Sequence, residues 1–167
     1  MRCQLSRLLL AAAVATVPVA GEVGEVVTAP VVPVAEVGGQ LEEVLRNPKR
    51  SHAMRVSKKT NTPLVVVLTD KHCAACSHLI ASLNQDSTFR YLLPRFTAVL
   101  ADTPKAWKAW RLPGHEYMPQ TLFFPPGEKD PLPIHGTNDE APHFLHDAAT
   151  VAWGMETCLT AVTTGDR

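Results

Sequence analysis

The hydrophobic positions of this chain fall into short runs of strand length and longer stretches with helical spacing. Leu64–Leu68 reads LVVVL, a continuous, largely β-branched run typical of a central strand buried on both faces. Just after it, Cys76, Leu79, Ile80 and Leu83 recur at helical spacing and predict a helix at 73–84. Further helices are predicted at 48–59, 87–93, from Pro104 and at 148–162, and further strands at 96–101, 120–124 and, weakened by Pro133, at a possible edge strand 132–135. This alternation predicts an α/β domain with a partly parallel sheet.

Two dipeptides that end in proline mark expected helix starts. In Asn47-Pro48 and in Thr103-Pro104, a residue suited to the N-cap precedes a proline suited to the first helical position. They predict that one helix begins at Pro48 and another at Pro104.

Composition and charge narrow the class of protein. The 167 residues include 16 Lys or Arg and 16 Asp or Glu, so the formal net charge is zero, and 46% of them are hydrophobic. A neutral chain lacks the basic face expected of a nucleic-acid-binding protein. Four cysteines are too few for a disulfide scaffold. We therefore expect a single packed domain that does not bind nucleic acid.

The N-terminus has the pattern of a secretory signal peptide. Arg2 and Arg7 precede the apolar run LLLAAAVATVPV, which is shorter than the roughly 20 residues of a membrane-spanning helix. No other apolar run approaches that length, so the mature chain is expected to have no membrane span. The predicted order is a signal peptide at 1–21, a linker or extended segment at 22–46 and the folded domain at 47–167.

The chemical centre of the sequence is Cys73-Ala-Ala-Cys76. The motif lies between a buried strand and a helix, where unpaired N–H groups and the helix dipole favour a thiolate. Cys73 is therefore predicted to be the nucleophile, and Cys76, one turn further on, to close a disulfide and resolve a mixed disulfide. His72 directly precedes the nucleophile, and its imidazolium is predicted to stabilise the thiolate.

Two structural interpretations of the same residues stay open. His72, Cys73, Cys76 and His78 lie within seven residues and are of the types that ligate zinc. Neighbouring residues rarely reach one tetrahedral ion together, and no second C-x-x-C is present, so no metal is expected. An inert structural disulfide is the other alternative.

A second motif, Tyr117-Met118-Pro119-Gln120, stands directly before the predicted strand TLFF. A proline at the start of a strand is tolerated because no ladder donor is needed there. If the bond before Pro119 is cis, the Met118 backbone turns outward and can pair with an extended peptide beside the cysteines.

These motifs resemble the thioredoxin superfamily, and in particular the small one-domain endoplasmic-reticulum thioredoxin-like proteins related to the anterior-gradient proteins. The similar segments are TPLVVVLTDKHCAAC, EYMPQTLFF and ATVAWGMETCLTAVTTGD. The resemblance implies a thioredoxin-like α/β fold, with a central mixed β-sheet flanked by helices on both faces. It also implies that Cys73 is the nucleophile, Cys76 the resolving cysteine and Pro119 a cis-proline, with Met118 lining the substrate groove.

The chain departs from the family pattern at three places. Val67 stands six residues before Cys73, where thioredoxin has a buried carboxylate, and His72 stands where thioredoxin has tryptophan. The sequence ends in Thr-Gly-Asp-Arg and not in the acidic retrieval tetrapeptide usual for the endoplasmic-reticulum relatives. Both the endoplasmic-reticulum lumen and secretion therefore remain expected locations.

The leading functional hypothesis is a thiol–disulfide oxidoreductase of the secretory pathway that needs no organic cofactor. Its expected partners are cysteine-containing client proteins and either glutathione or a redox partner protein. The alternative, from another class, is a chaperone-like module that holds clients on the same groove with little redox turnover. The sequence does not fix the direction of electron flow, the clients or the oligomeric state.

Three other features are predicted to be structural. Cys158, on a hydrophobic stripe of the last helix, is expected to be a buried, inert thiol. His143 and His146 are expected to be solvated and not metal ligands. Trp107 and Trp110 are expected to pack under the segment that carries them.

Overall fold

Four strands form one mixed sheet in the described part of the chain, which is residues 44–165 of the computed structural model. The strand order is β1-β3-β2-β4, and every pair is parallel except β2 with β4. The predicted signal peptide at 1–21 and all but the last three residues of the predicted linker at 22–46 lie outside the described residues. The strands are β1 (Leu45–Arg46), β2 (Leu64–Leu68), β3 (Thr97–Ala101) and β4 (Gln120–Phe124).

Helices cover both faces of this sheet, as the resemblance to thioredoxin implies. They are α1 (Arg50–Thr60), α2 (Ala74–Gln85), α3 (Ser87–Leu92), α4 (Pro104–Trp110) and α5 (Ala148–Thr164), and a 3-10 turn, Leu93–Arg95, follows α3. Side chains alternate along each strand, so Val65 and Val67 of β2 pack in a core with α2, α3 and α5. Leu64, Val66 and Leu68 pack in a second core with α1 and α4. The mixed α/β architecture is thereby confirmed.

The predicted start of α1 at Pro48 is wrong. The helix begins at Arg50, and its N-cap residue Lys49 makes no side-chain cap hydrogen bond. Asn47 is used elsewhere: its backbone N–H donates to the Leu100 carbonyl (2.9 Å), and its side-chain oxygen accepts from the Asp102 N–H (3.0 Å). Asn47 therefore ties β1 to the end of β3. The predicted cap at Thr103 is confirmed, since its Oγ1 accepts from the Ala106 N–H (3.3 Å).

The possible edge strand at 132–135 does not form. Leu132 donates one backbone hydrogen bond to the Phe123 carbonyl (2.7 Å), but Ile134 donates back to Leu132 (2.8 Å). Pro131 and Pro133 have no N–H to offer, so the ladder cannot continue. The segment lies beside β4 as a loop.

None of the helices in residues 44–165 is both long and apolar enough to cross a membrane.

Candidate redox site

A tight turn after β2 places the cysteine pair at the end of this strand. The Asp70 side chain accepts from the His72 N–H (2.8 Å), and the Asp70 carbonyl accepts from the Cys73 N–H (3.1 Å). Such an Asx turn reverses the chain over a few residues, so Cys73 becomes the N-cap of α2.

Cys73 and Cys76 form a disulfide, with their Cα atoms 5.2 Å apart. Cys73 Sγ accepts from the Cys76 N–H (3.1 Å), and the Cys73 carbonyl accepts from the Ser77 N–H (3.1 Å). The sulfur therefore lies at the positive end of α2, where the dipole and unpaired N–H groups stabilise an anion. Cys73 is partly exposed, whereas Cys76 is only 1% exposed. The two sulfurs thus differ sharply in their access to solvent.

The Met118-Pro119 segment lies against this pair. The peptide bond between these residues is cis, as the resemblance implies, and the Met118 carbonyl oxygen is 3.9 Å from Cys73 Sγ. The fold therefore joins two motifs separated by 45 residues. Within residues 44–165, the half-buried Met118 has no hydrogen-bond partner for its N–H.

A buried glutamine that the sequence did not single out holds the loop before Pro119. Gln120 is fully buried, and its Nε2 donates to the carbonyls of His115 (2.9 Å) and Tyr117 (2.8 Å). Two side-chain hydrogen bonds fix the backbone on which Met118 is presented. The available signal was a glutamine at the first position of the predicted strand, directly after Pro119.

His72 lies beside the nucleophile, but its side chain is exposed and makes no hydrogen bond within the described residues. Its main-chain N–H belongs to the turn described above. Stabilisation of the Cys73 thiolate by His72 stays a prediction.

On one side of Cys76, an open cleft of about 590 Å³ reaches the buried cysteine. Its lining includes four charged residues: Arg46, Asp70, Lys71 and Asp102. Val67 lies in the apolar core and is 6% exposed, so β2 supplies no ionisable side chain near the pair. The charged groups that share the cleft with the resolving cysteine are therefore Arg46, Asp70, Lys71 and Asp102.

His143 is buried, so its predicted solvation is wrong. Its ring is edge-on to those of His115 (5.3 Å between centroids) and His135 (5.1 Å), and its backbone N–H donates to the Tyr117 hydroxyl (2.9 Å). Burial and, secondly, the charges of His135 and His115 lower the pKa of His143 to about 4. The predicted exposure of His146 is confirmed; it lies 3.3 Å from an Asp147 carboxylate oxygen.

The third described cysteine takes no part in the site. Cys158 is fully buried among the core side chains of α5, and burial raises the pKa of its thiol to about 12. The thiol stays protonated at neutral pH, as expected for an inert core cysteine. Between residues 44 and 165, no group of three or more His, Cys, Asp or Glu side chains is arranged to hold a metal ion.

Comparison with known proteins identifies the fold. No protein-family profile and no curated protein sequence matches the chain. Among solved structures, the chain is similar to the solution structure of a thioredoxin from Thermus thermophilus, with a TM-score of 0.50 and 18% sequence identity. The match covers 74% of this chain and 94% of that one. The sheet order, the helices on both faces and this similarity show that the chain has the thioredoxin fold.

Proposed function

We propose that this protein is a thiol–disulfide oxidoreductase that acts on cysteine-containing client proteins of the secretory pathway. The observation that carries the proposal is the Cys73–Cys76 disulfide at the N-terminus of α2, with Cys73 facing the Met118 carbonyl. An inert disulfide needs neither a partly exposed cysteine at a helix N-terminus nor a neighbouring main-chain N–H, that of Met118, without a partner among the described residues.

The chemistry is a pair of exchange steps. In the reducing direction, the Cys73 thiolate attacks a client disulfide, forms a mixed disulfide and releases one client thiolate, which takes a proton from solvent. Cys76 then loses its proton and attacks Cys73 Sγ, which closes the enzyme disulfide and releases the second client thiolate. The client gains two electrons and the enzyme loses two. In the oxidising direction, the same steps run in reverse.

The difference in burial decides which sulfur meets the client. Cys73 is partly exposed and Cys76 is 1% exposed, so a client thiolate reaches Cys73 first and displaces Cys76. The free Met118 N–H would pair with an extended client backbone beside Cys73, because main-chain hydrogen bonds recognise extended peptides independently of sequence.

The cellular setting is part of the proposal. The signal-peptide pattern at 1–21 and the resemblance to the small endoplasmic-reticulum thioredoxin-like proteins favour the endoplasmic-reticulum lumen or secretion. After each exchange, glutathione or a redox partner protein would return the cysteine pair to its starting redox state. The chemistry requires no organic cofactor.

The test compares single cysteine variants on a disulfide-bonded client. Cys73→Ser should lower exchange to the uncatalysed background, because serine offers no thiolate. Cys76→Ser should accumulate a covalent enzyme–client species that a reductant releases, visible by non-reducing electrophoresis and intact mass. Cys158→Ala is the matched control and should exchange at the rate of the unmodified protein. Full turnover by Cys73→Ser would refute the proposal.

The direction of exchange is read from an equilibrium. The protein is incubated in buffers that contain reduced and oxidised glutathione at a series of ratios. Free thiols are then alkylated, and the fraction of reduced protein is read from the intact mass. A potential near −180 mV, like that of protein disulfide isomerase, would mark a donor of disulfides, and about −270 mV, like that of thioredoxin, a reductase.

A further inference from the structure

We infer that Asp70 is the proton acceptor for the Cys76 thiol in the second exchange step, an inference that rests on the proposed function. The step needs such a group. Cys76 must become a thiolate before it attacks the mixed disulfide, yet it is 1% exposed, and β2, the strand that precedes the motif, carries no ionisable side chain. Charge separation in apolar surroundings is unfavourable, so a nearby base speeds the step.

The cleft beside Cys76 offers two carboxylates, and one is already engaged. Asp102 Oδ2 is 3.5 Å from an Arg46 guanidinium nitrogen, and Asp102 Oδ1 accepts from the Asn47 side-chain amide. Asp70 accepts a single hydrogen bond, from the His72 N–H to Oδ1 (2.8 Å). Among the described residues, no group occupies Asp70 Oδ2.

The turn before Cys73 also fixes this carboxylate in place. Asp70 is held through its side chain by the His72 N–H and through its carbonyl by the Cys73 N–H (3.1 Å). The same turn therefore positions both the nucleophile and the carboxylate. A carboxylate that is already positioned before the proton transfer loses little conformational entropy in that step.

The cleft gives the proton a route. Its volume of about 590 Å³ is far larger than the roughly 30 Å³ that one water occupies in the liquid, so water can connect Cys76 with Asp70. The S–H proton passes to Asp70, the Cys76 thiolate bonds to Cys73 Sγ, and the client sulfur leaves with the electron pair. Asp70 then releases the proton to solvent. The charged groups that line the cleft with Asp70 are Arg46, Lys71 and Asp102.

Two-phase kinetics with a chromogenic aromatic disulfide separate the steps. The reduced protein releases one coloured thiolate when Cys73 attacks and a second when Cys76 attacks. Asp70→Asn keeps an oxygen for the His72 N–H but removes the base. We expect an unchanged first phase and a second phase slowed about tenfold or more. The second phase should also become proportional to hydroxide concentration, whereas that of the unmodified protein rises less steeply with pH.

Two further variants make the outcome decisive. Asp70→Glu retains a carboxylate and should recover much of the second phase. Asp102→Asn makes the same substitution at the other carboxylate of the cleft and should leave the second phase within about twofold. The inference would be overturned if Asp70→Asn and Asp102→Asn slowed the second phase equally, or if Asp70→Asn left it unaltered. Either outcome would leave the proposed exchange reaction intact. Absence of the first phase in the unmodified protein would overturn both the inference and the proposed function.

Discussion

Cys73 combines two roles in one atom. Its Sγ accepts the Cys76 N–H (3.1 Å) and so caps α2, and it is also the more accessible sulfur of the disulfide. On reduction, the same N–H faces a thiolate, and a hydrogen bond to a charged acceptor is roughly twice as strong as one to a neutral group. The backbone can therefore stabilise a thiolate at Cys73 without a charged side chain between the two cysteines.

His143 makes the stability of the fold depend on pH. Its pKa is lowered to about 4 in the folded protein, from an ordinary value of 6.5, mainly by burial. Between these values the unfolded chain binds a proton that the folded chain does not, so stability is complete above about pH 6.5 and falls as the pH drops towards 4. At about 1.4 kcal/mol per pKa unit, the loss is at most about 3.5 kcal/mol.

Urea unfolding at pH 7 and pH 4.5 measures this loss. His143→Gln should show a smaller difference between the two pH values than the unmodified protein, and His52→Gln, at an exposed position on α1, should match the unmodified protein. Identical pH dependence in His143→Gln and the unmodified protein would show that His143 contributes nothing.

The sequence predicts that Pro119 lies beside Cys73 and Cys76, but it does not predict that His143 is buried. The difference has a physical reason. The cysteine motif is local, and its meaning follows from a strand before it and a helix after it. The burial of His143 depends on a pairing between distant segments: the Thr121 N–H donates to the His143 carbonyl (2.9 Å) and draws the histidine under the loop before Pro119. No pattern within the segment itself indicates that contact.

At the scale of elements, α5 shows how closely a helix packs on the sheet. It begins with a capping box, in which Asp147 accepts from the Thr150 N–H (2.9 Å) and Thr150 Oγ1 accepts from the Asp147 N–H (3.4 Å). Further along, Gly154 lies against Phe123 of β4, and an added Cβ would fall 2.5 Å from the ring. The glycine permits the close approach of helix and strand.

Gly154→Ala should therefore destabilise the protein. Alanine favours a helix over glycine by about 1 kcal/mol, but overpacking a buried ring costs about 1–3 kcal/mol. The ring of Phe123 is 1% exposed and has little room to move, so we expect a net loss of about 1 kcal/mol, measured by chemical denaturation. Thr160→Ala, on the exposed face of α5, is the control and should not lose stability; a Gly154→Ala variant as stable as the parent would contradict the packing argument.

The elements themselves divide into those that local sequence decides and those that it does not. The bounds of β2 and β4 agree with the prediction, because β2 is a continuous apolar run and β4 follows directly on Pro119 and ends in the apolar run Leu-Phe-Phe. The start of α1 does not agree with the prediction, because the Asn47 side chain accepts from the Asp102 N–H at the end of β3 and does not cap the helix. The 132–135 segment fails as a strand because two prolines interrupt its donors.

For the whole molecule, β2 is the element from which the rest is organised. It pairs with β3 on one side and β4 on the other, and all five residues are buried between two cores. β1, by contrast, contributes two residues at the edge. The middle of the sheet can open only when both cores open.

Hydrogen exchange should reveal this difference. Backbone amides of Val65 and Val67 should exchange only through global unfolding, because both faces and both neighbouring strands must separate first. Asn47, which directly follows β1 at the edge and donates its N–H to the Leu100 carbonyl, should exchange with a lower free energy of opening. Native-state exchange followed by nuclear magnetic resonance measures both, and equal protection at Asn47 and in β2 would contradict the expectation.

The outer edge of β4 bears on self-association. The Thr121 N–H is taken by the His143 carbonyl (2.9 Å), and the Phe123 carbonyl is taken by the Leu132 N–H (2.7 Å). Two groups that face outward on this edge are therefore already paired within the chain, and nearby prolines further discourage pairing with a strand of another molecule. The irregular loop that replaces an expected strand thus limits amyloid-like growth of the sheet through this edge.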